Sequence, residues 1–119
     1  MTLDSASEAN RRQDQFLATA RSVRSVWVLS SNSGLGNWRD LDEGGLVVPV
    51  WESEAAAREC AVGDLGEYEP RSIDLTEFVE THLAHLSELD VWVAVSPTPD
   101  QTGNQLPPDR LRSMLSDDA

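Results

Sequence analysis

The chain has 119 residues, enough for one domain with a proper apolar core and too few for two. Its 39% hydrophobic and 25% charged fractions are those of a globular protein, and no apolar run approaches the ~20 residues that cross a bilayer. Nine basic residues, all arginine, against 21 acidic ones give a formal net charge of −12, which repels phosphate backbones and anionic lipid and so argues against nucleic acid and membrane partners.

Residues 7–23 are expected to form a helix, because Ala9, Gln13, Phe16, Ala20 and Val23 recur at three- and four-residue steps between polar faces. Residues 1–6 and 117–119 are expected to be flexible, leaving an ordered core of about 7–116 in a single domain. Ser25–Ser31 reads as a buried strand from its β-branched and aromatic content. Asn32 to Asn37 is dense in residues that tolerate positive φ and reads as a turn. Trp38 to Leu41 is a candidate return strand, ending at Asp42-Glu43-Gly44-Gly45, and Leu46 to Trp51 is a second strong strand. Pro49 has no N–H for a ladder, so this strand lies at an edge, or Pro49 sits where its neighbour is unpaired.

Ser53 is a suitable N-cap for a helix over 54–62, with Gly63 as its stop. Tyr68 to Ile73 is a candidate short strand. Asp74, followed three residues later by Glu77, has capping-box spacing and opens a helix with the stripe Leu75, Phe78, Val79, His82, Leu83 and Leu86. Val91 to Val95 is apolar at every position, so it is expected to be a central strand with Trp92 largely buried. Pro97 to Gln105 reads as a loop, and Pro107-Pro108-Asp109 opens a last helix carrying Leu111, Met114 and Leu115. The expected fold is α+β: a small mixed or antiparallel sheet on strands near 25–31, 46–51 and 91–95, packed by three to four helices in the order α-β-β-β-α-(β)-α-β-α.

The chain contains little that reads as chemistry. His82, His85 and Glu88 share one side of a helix, but adjacent-turn spacing without further ligands does not make a metal site. Cys60 falls inside an alanine-rich helix, where a cysteine behaves as a small core residue rather than a nucleophile. Gly34-Leu35-Gly36 is a fragment of a phosphate cradle with no helix or lysine to complete it, and no Gly-x-Ser-x-Gly elbow exists. No catalytic, metal or cofactor-binding residue is assigned, and no cofactor is expected. That lack weighs toward a non-enzymatic role. One cysteine cannot form an intramolecular disulfide, and Met1 to Ser5 has no basic-then-apolar pattern, so the expected location is cytoplasmic.

Tryptophan is the aromatic in surplus. Trp27 and Trp51 sit opposite valines on their strands. Either both face outward as an aromatic floor for a ligand or partner, or helices cover that face and the rings pack beneath them. Tryptophan's large apolar area favours the packed arrangement.

The run Val48-Pro49-Val50-Trp51, Ser53, the alanine-rich helix with Ala55, Ala56, Ala57 and Cys60, then Ile73-x-Leu75-x-x-Phe78 with Leu83-x-x-Leu86, is distinctive. With Val26-Trp27-Val28-Leu29 before it and Val93-Ala94-Val95 after it, this pattern resembles a bacterial family known as a domain of unknown function, number twenty-seven fifty. The resemblance spans about residues 12 to 115. It implies an α+β fold and brings with it no activity, cofactor or catalytic residue.

Charge is uneven along the chain. From Glu52 to Asp90 eleven acids face only Arg58 and Arg71, whereas in the first thirty residues four arginines exceed three acids. Two functional classes follow, beside the plain reading of acidity as solubility. One is an acidic protein-interaction module binding a basic protein, as small immunity or adaptor proteins do, with Glu77, Glu80, Trp27 and Trp51 as the candidate surface. The alternative is a small-ligand-binding or enzymatic domain with a tryptophan-lined pocket. The sequence gives no oligomeric state.

Overall fold

The computed structural model describes residues 2–32, 34–39, 45–98 and 103–116. Helix α1 (Thr2–Val23) begins earlier than its apolar periodicity, so residues 2–6, expected to be flexible, are helical; residues 117–119 lie outside the described residues. Its stripe Ala9, Phe16 and Ala20 is buried, but Val23 at the end of the stripe is exposed. Arg24, in the left-handed region at φ 61°, donates its N–H to Ala20 O at 2.8 Å and turns the chain into β1 (Ser25–Ser31). A tight hairpin follows: β2 (Gly34–Leu35) pairs back on Ser30 and Ser31, and the φ of 125° at Gly34 suits only glycine. The return strand expected at 38–41 is present as β3 (Trp38–Arg39), and residues 40–44, with most of the expected turn at 42–45, lie outside the described residues.

β4 (Leu46–Val50) leads into α2 (Glu54–Glu59), where Ser53 Oγ accepts the N–H of Ala56 at 3.2 Å as an N-cap should. The helix is shorter than expected, giving way to a 3₁₀ turn at Gly63–Leu65. β5 (Glu69–Asp74) ends in the second cap, Asp74 Oδ2 accepting from the N–H groups of Thr76 and Glu77 at 3.0 and 3.3 Å. The helix it starts is interrupted: α3 (Leu75–Glu77) widens into a π turn at Phe78–His82 and resumes as α4 (Leu83–Glu88). Leu75, Phe78, Val79, Leu83 and Leu86 are buried, and His82 is half-buried beside them. β6 (Trp92–Val95), β7 (Asn104–Leu106) and α5 (Pro108–Ser116) complete the chain.

The sheet is mixed, and the fold is α+β. The strands are ordered β2-β1-β5 and β3-β4-β6-β7, with every pairing antiparallel except β4–β6. One backbone pair joins the two groups: Trp27 and Trp51 each donate an N–H to the other's carbonyl at 2.8 Å. Pro49 explains why the junction is so narrow. Alternation places its nitrogen on the edge that bears Trp51's bonds to β1, between the stretch paired to β3 and the bridge to β1, where no donor is needed. Of the two options for Pro49, the structure shows the unpaired gap. The loop expected at 97–105 contains β7, which pairs Val93↔Leu106 and Val95↔Asn104; residues 99–102 lie outside the described residues.

Helices α1, α3, α4 and α5 cover one face of the sheet. Val26, Val28, Val48, Val50, Val93 and Val95 meet Phe16, Phe78, Leu83 and Leu111 there in one continuous core. A smaller cluster lies on the other face, where Ala57 of α2 and Cys60 at its carboxyl cap pack over Leu29 and Trp51, with Trp27, Leu65 and Tyr68 at its margin. Small side chains on α2 let its backbone lie close to the indole. Trp92 departs from expectation. β6 is interior in the pairing order, yet Trp92 at its start is 41% exposed: Val91, Val93 and Val95 enter the large core, so alternation turns Trp92 to the opposite face.

Candidate functional site

The described surface of the middle of the chain is negative. Glu54, Glu59, Glu67, Glu69, Asp74, Glu77, Glu80, Glu88 and Asp90 all have exposed side chains. Few cations oppose them. Arg58 Nη2 is taken up by Glu54 one helical turn away, at 2.7 Å on the open surface. On the helical run from α3 to α4 the buried stripe faces the core, so Thr76, Glu77, Glu80, Thr81, His85 and Glu88 form the outward side. Glu77 Oε2 lies 3.5 Å from His82 Nε2, and the His82 ring stacks on Phe78 with centroids 6.3 Å apart. The π turn and this stacking fix His82 at the boundary of core and solvent. His85 is exposed, and among the described residues no group of three or more His, Cys, Asp or Glu side chains is placed to hold a metal ion.

The helix ends in a Schellman turn. Val91 N–H reaches Leu86 O at 2.9 Å, Asp90 N–H reaches Ser87 O at 3.2 Å, and Asp90 takes the left-handed conformation at φ 60°. Leu86 and Val91 meet in the core, which leaves Glu88, Leu89 and Asp90 outside, Leu89 at 57% exposure, immediately before Trp92.

The two tryptophans named from the sequence lie elsewhere. Trp51 is fully buried; its indole Nε1 donates to Pro97 O at 2.9 Å, and Cys60 Sγ donates to the same carbonyl at 3.3 Å. Trp27 is half-buried beside it, under the margin of α2. Burial also pushes the Cys60 thiol up, despite the lowering contact with Trp51 and with Glu59 adding to the rise, so Cys60 stays protonated.

Sequence reading missed a polar region at the carboxyl ends of the parallel strands. Ser96 follows β6 in the left-handed region at φ 49°; its side chain is buried and its Oγ has no hydrogen-bond partner, while its N–H bonds Val50 O at 2.8 Å. Glu52, just past β4, accepts from Thr19 Oγ1 of α1 at 3.3 Å; burial pushes its carboxyl up, and the Thr19 hydroxyl offsets part of that. Asn104 Nδ2 ties β7 to Asn10 and Gln13 of α1 at 3.0 and 2.9 Å. The only signal available beforehand was the Ser96-Pro97 step at the end of an apolar run.

Residues 13–115 match the model of a family described as "Protein of unknown function (DUF2750)". The chain belongs to this family. No curated protein and no solved structure matches it. The matched span begins within α1 and reaches the last turn of α5, so it takes in every strand, both caps and the acidic helical run.

Proposed function

We propose that this family member is a non-enzymatic, acidic protein-interaction module that binds a basic protein partner, in the way of small immunity or adaptor proteins. It acts as a single α+β domain in the cytoplasm. The observation that carries the reading is the outward row of carboxylates Glu77, Glu80 and Glu88, with Asp90 in the turn that follows, on a helical run whose other side is buried in the core. Such a row raises the encounter rate with a basic face and loses its reach as salt shortens the Debye length from about 30 Å at 0.01 M to about 8 Å at 0.15 M. Glu77 and Glu80 are the contacts on α3 and the π turn. Trp27 and Trp51 support the fold beneath α2, and Trp51, fully covered, offers a partner no surface.

The test is affinity capture at low and high salt, followed by association kinetics with the captured protein. Glu77→Lys with Glu80→Lys is expected to slow association by about tenfold at low salt and to change dissociation far less. An acidic partner, a neutral metabolite, or binding indifferent to salt would refute the proposal.

A further inference from the structure

We infer that Trp92 is the anchor on which an arginine-bearing segment of the basic partner docks. This rests on the reading above and gives it a centre. A tryptophan 41% exposed at the start of an interior strand is a poor use of its apolar area unless something covers it, and exposed tryptophan is the residue type most enriched at the energetic centre of interfaces.

Charge chooses the occupant. Asp90 is two residues from Trp92, so their Cα atoms are within about 7 Å, and the Schellman turn places Leu89 and Glu88 just beyond. All four side chains are exposed. With Asp90 and Glu88 close to Trp92 in the chain, a guanidinium suits the patch: it stacks flat on an indole while its N–H groups bond carboxylates, where an ammonium gains less. A second copy of this chain is disfavoured, since it brings the same −12 charge and the same acids against the patch. An anionic membrane is repelled for the same reason.

The probe is a twelve-residue peptide of alternating arginine and glycine, compared with its lysine counterpart, titrated into the full chain at low salt. Affinity is read by calorimetry, and the indole N–H resonances are followed in heteronuclear spectra, with that of Trp92 assigned by its loss in Trp92→Phe. The arginine peptide is expected to bind about fivefold more tightly than the lysine one, to shift the Trp92 resonance and leave the buried Trp51 resonance in place. Trp92→Ala should remove that preference. Asp90→Gly, which suits its own left-handed backbone and so keeps the fold, should weaken both peptides. Salt-sensitive binding with equal affinities and a stationary Trp92 resonance overturns the anchor and leaves the acidic surface standing. No salt-sensitive binding overturns both. A dimer in solution that protects Trp92 assigns the patch to a second copy and overturns the inference.

Discussion

Trp51→Phe separates two contributions that this residue makes. The ring is fully buried beneath Ala57 and Cys60, and its Nε1 donates to Pro97 O at 2.9 Å. Phenylalanine keeps most of the apolar area but loses roughly 40 Å², about 1 kcal/mol at 25 cal/mol per Å². It also removes the donor to a buried carbonyl, which costs about 1 kcal/mol; the low end applies because the Cys60 thiol still reaches that oxygen. The sum is about 2 kcal/mol. In urea, with a slope of about 2 kcal/mol per M, the midpoint should fall by about 1 M at unchanged slope. Trp51→Ala adds a cavity and should lose about 3–5 kcal/mol. The assay is paired urea melts followed by far-ultraviolet circular dichroism, which reports backbone and not the altered chromophore. A Trp51→Phe midpoint within 0.2 M of wild type would show that the indole hydrogen bond contributes nothing and that the packing account of this face is wrong.

Two further outcomes test the polar end of the sheet. Gly103 has φ +71°, and a Cβ there would stand 2.5 Å from Val95 O, so Gly103→Ala should cost about 2–4 kcal/mol in the same melts; a loss under 0.5 kcal/mol would mean that β7 does not sit against β6 as described. Glu52 holds its proton to higher pH in the folded than in the unfolded chain, so its ionisation costs stability at neutral pH and the cost is relieved as pH falls through its raised pKa. Glu52→Gln should therefore melt higher than wild type at pH 7 and lose the wild type's relative gain on mild acidification; a lower melting temperature at pH 7 would contradict this.

The elements legible in the sequence were those with a local cause. Valine-rich runs at 25–31, 46–51 and 91–95 became β1, β4 with its bridging Trp51, and β6, and the caps at Ser53 and Asp74 make the bonds their spacing implied. What escaped depends on partners distant in the chain. Asn104-Gln105-Leu106 has no strand composition and is extended because β6 offers it an unpaired edge. The π turn at Phe78–His82 leaves the apolar stripe of a regular helix unchanged in sequence. Trp92 was read as buried from its all-apolar neighbours, but Val91, Val93 and Val95 take the core side, so alternation turns Trp92 to the other face of the sheet, where it is 41% exposed. Glu77 and Glu80, named from the sequence as part of a candidate surface, are both exposed.

The parallel pairing of β4 with β6 bears on how the chain folds as well as on its final shape. Between β4 and β6 lie α2, β5 and the whole run from α3 to α4, so their pairing closes a long loop. β1 and β5 likewise pair across distant parts of the chain, whereas β6 and β7 are close in sequence. Closing such long loops is paid in entropy before any contact returns it, so the transition state should hold the β6–β7 hairpin with α5 and the second helical run, and β4 should join late. Until it does, the valine edge of β6 stands open to another chain. In that interval the excess of negative charge keeps unfinished molecules apart.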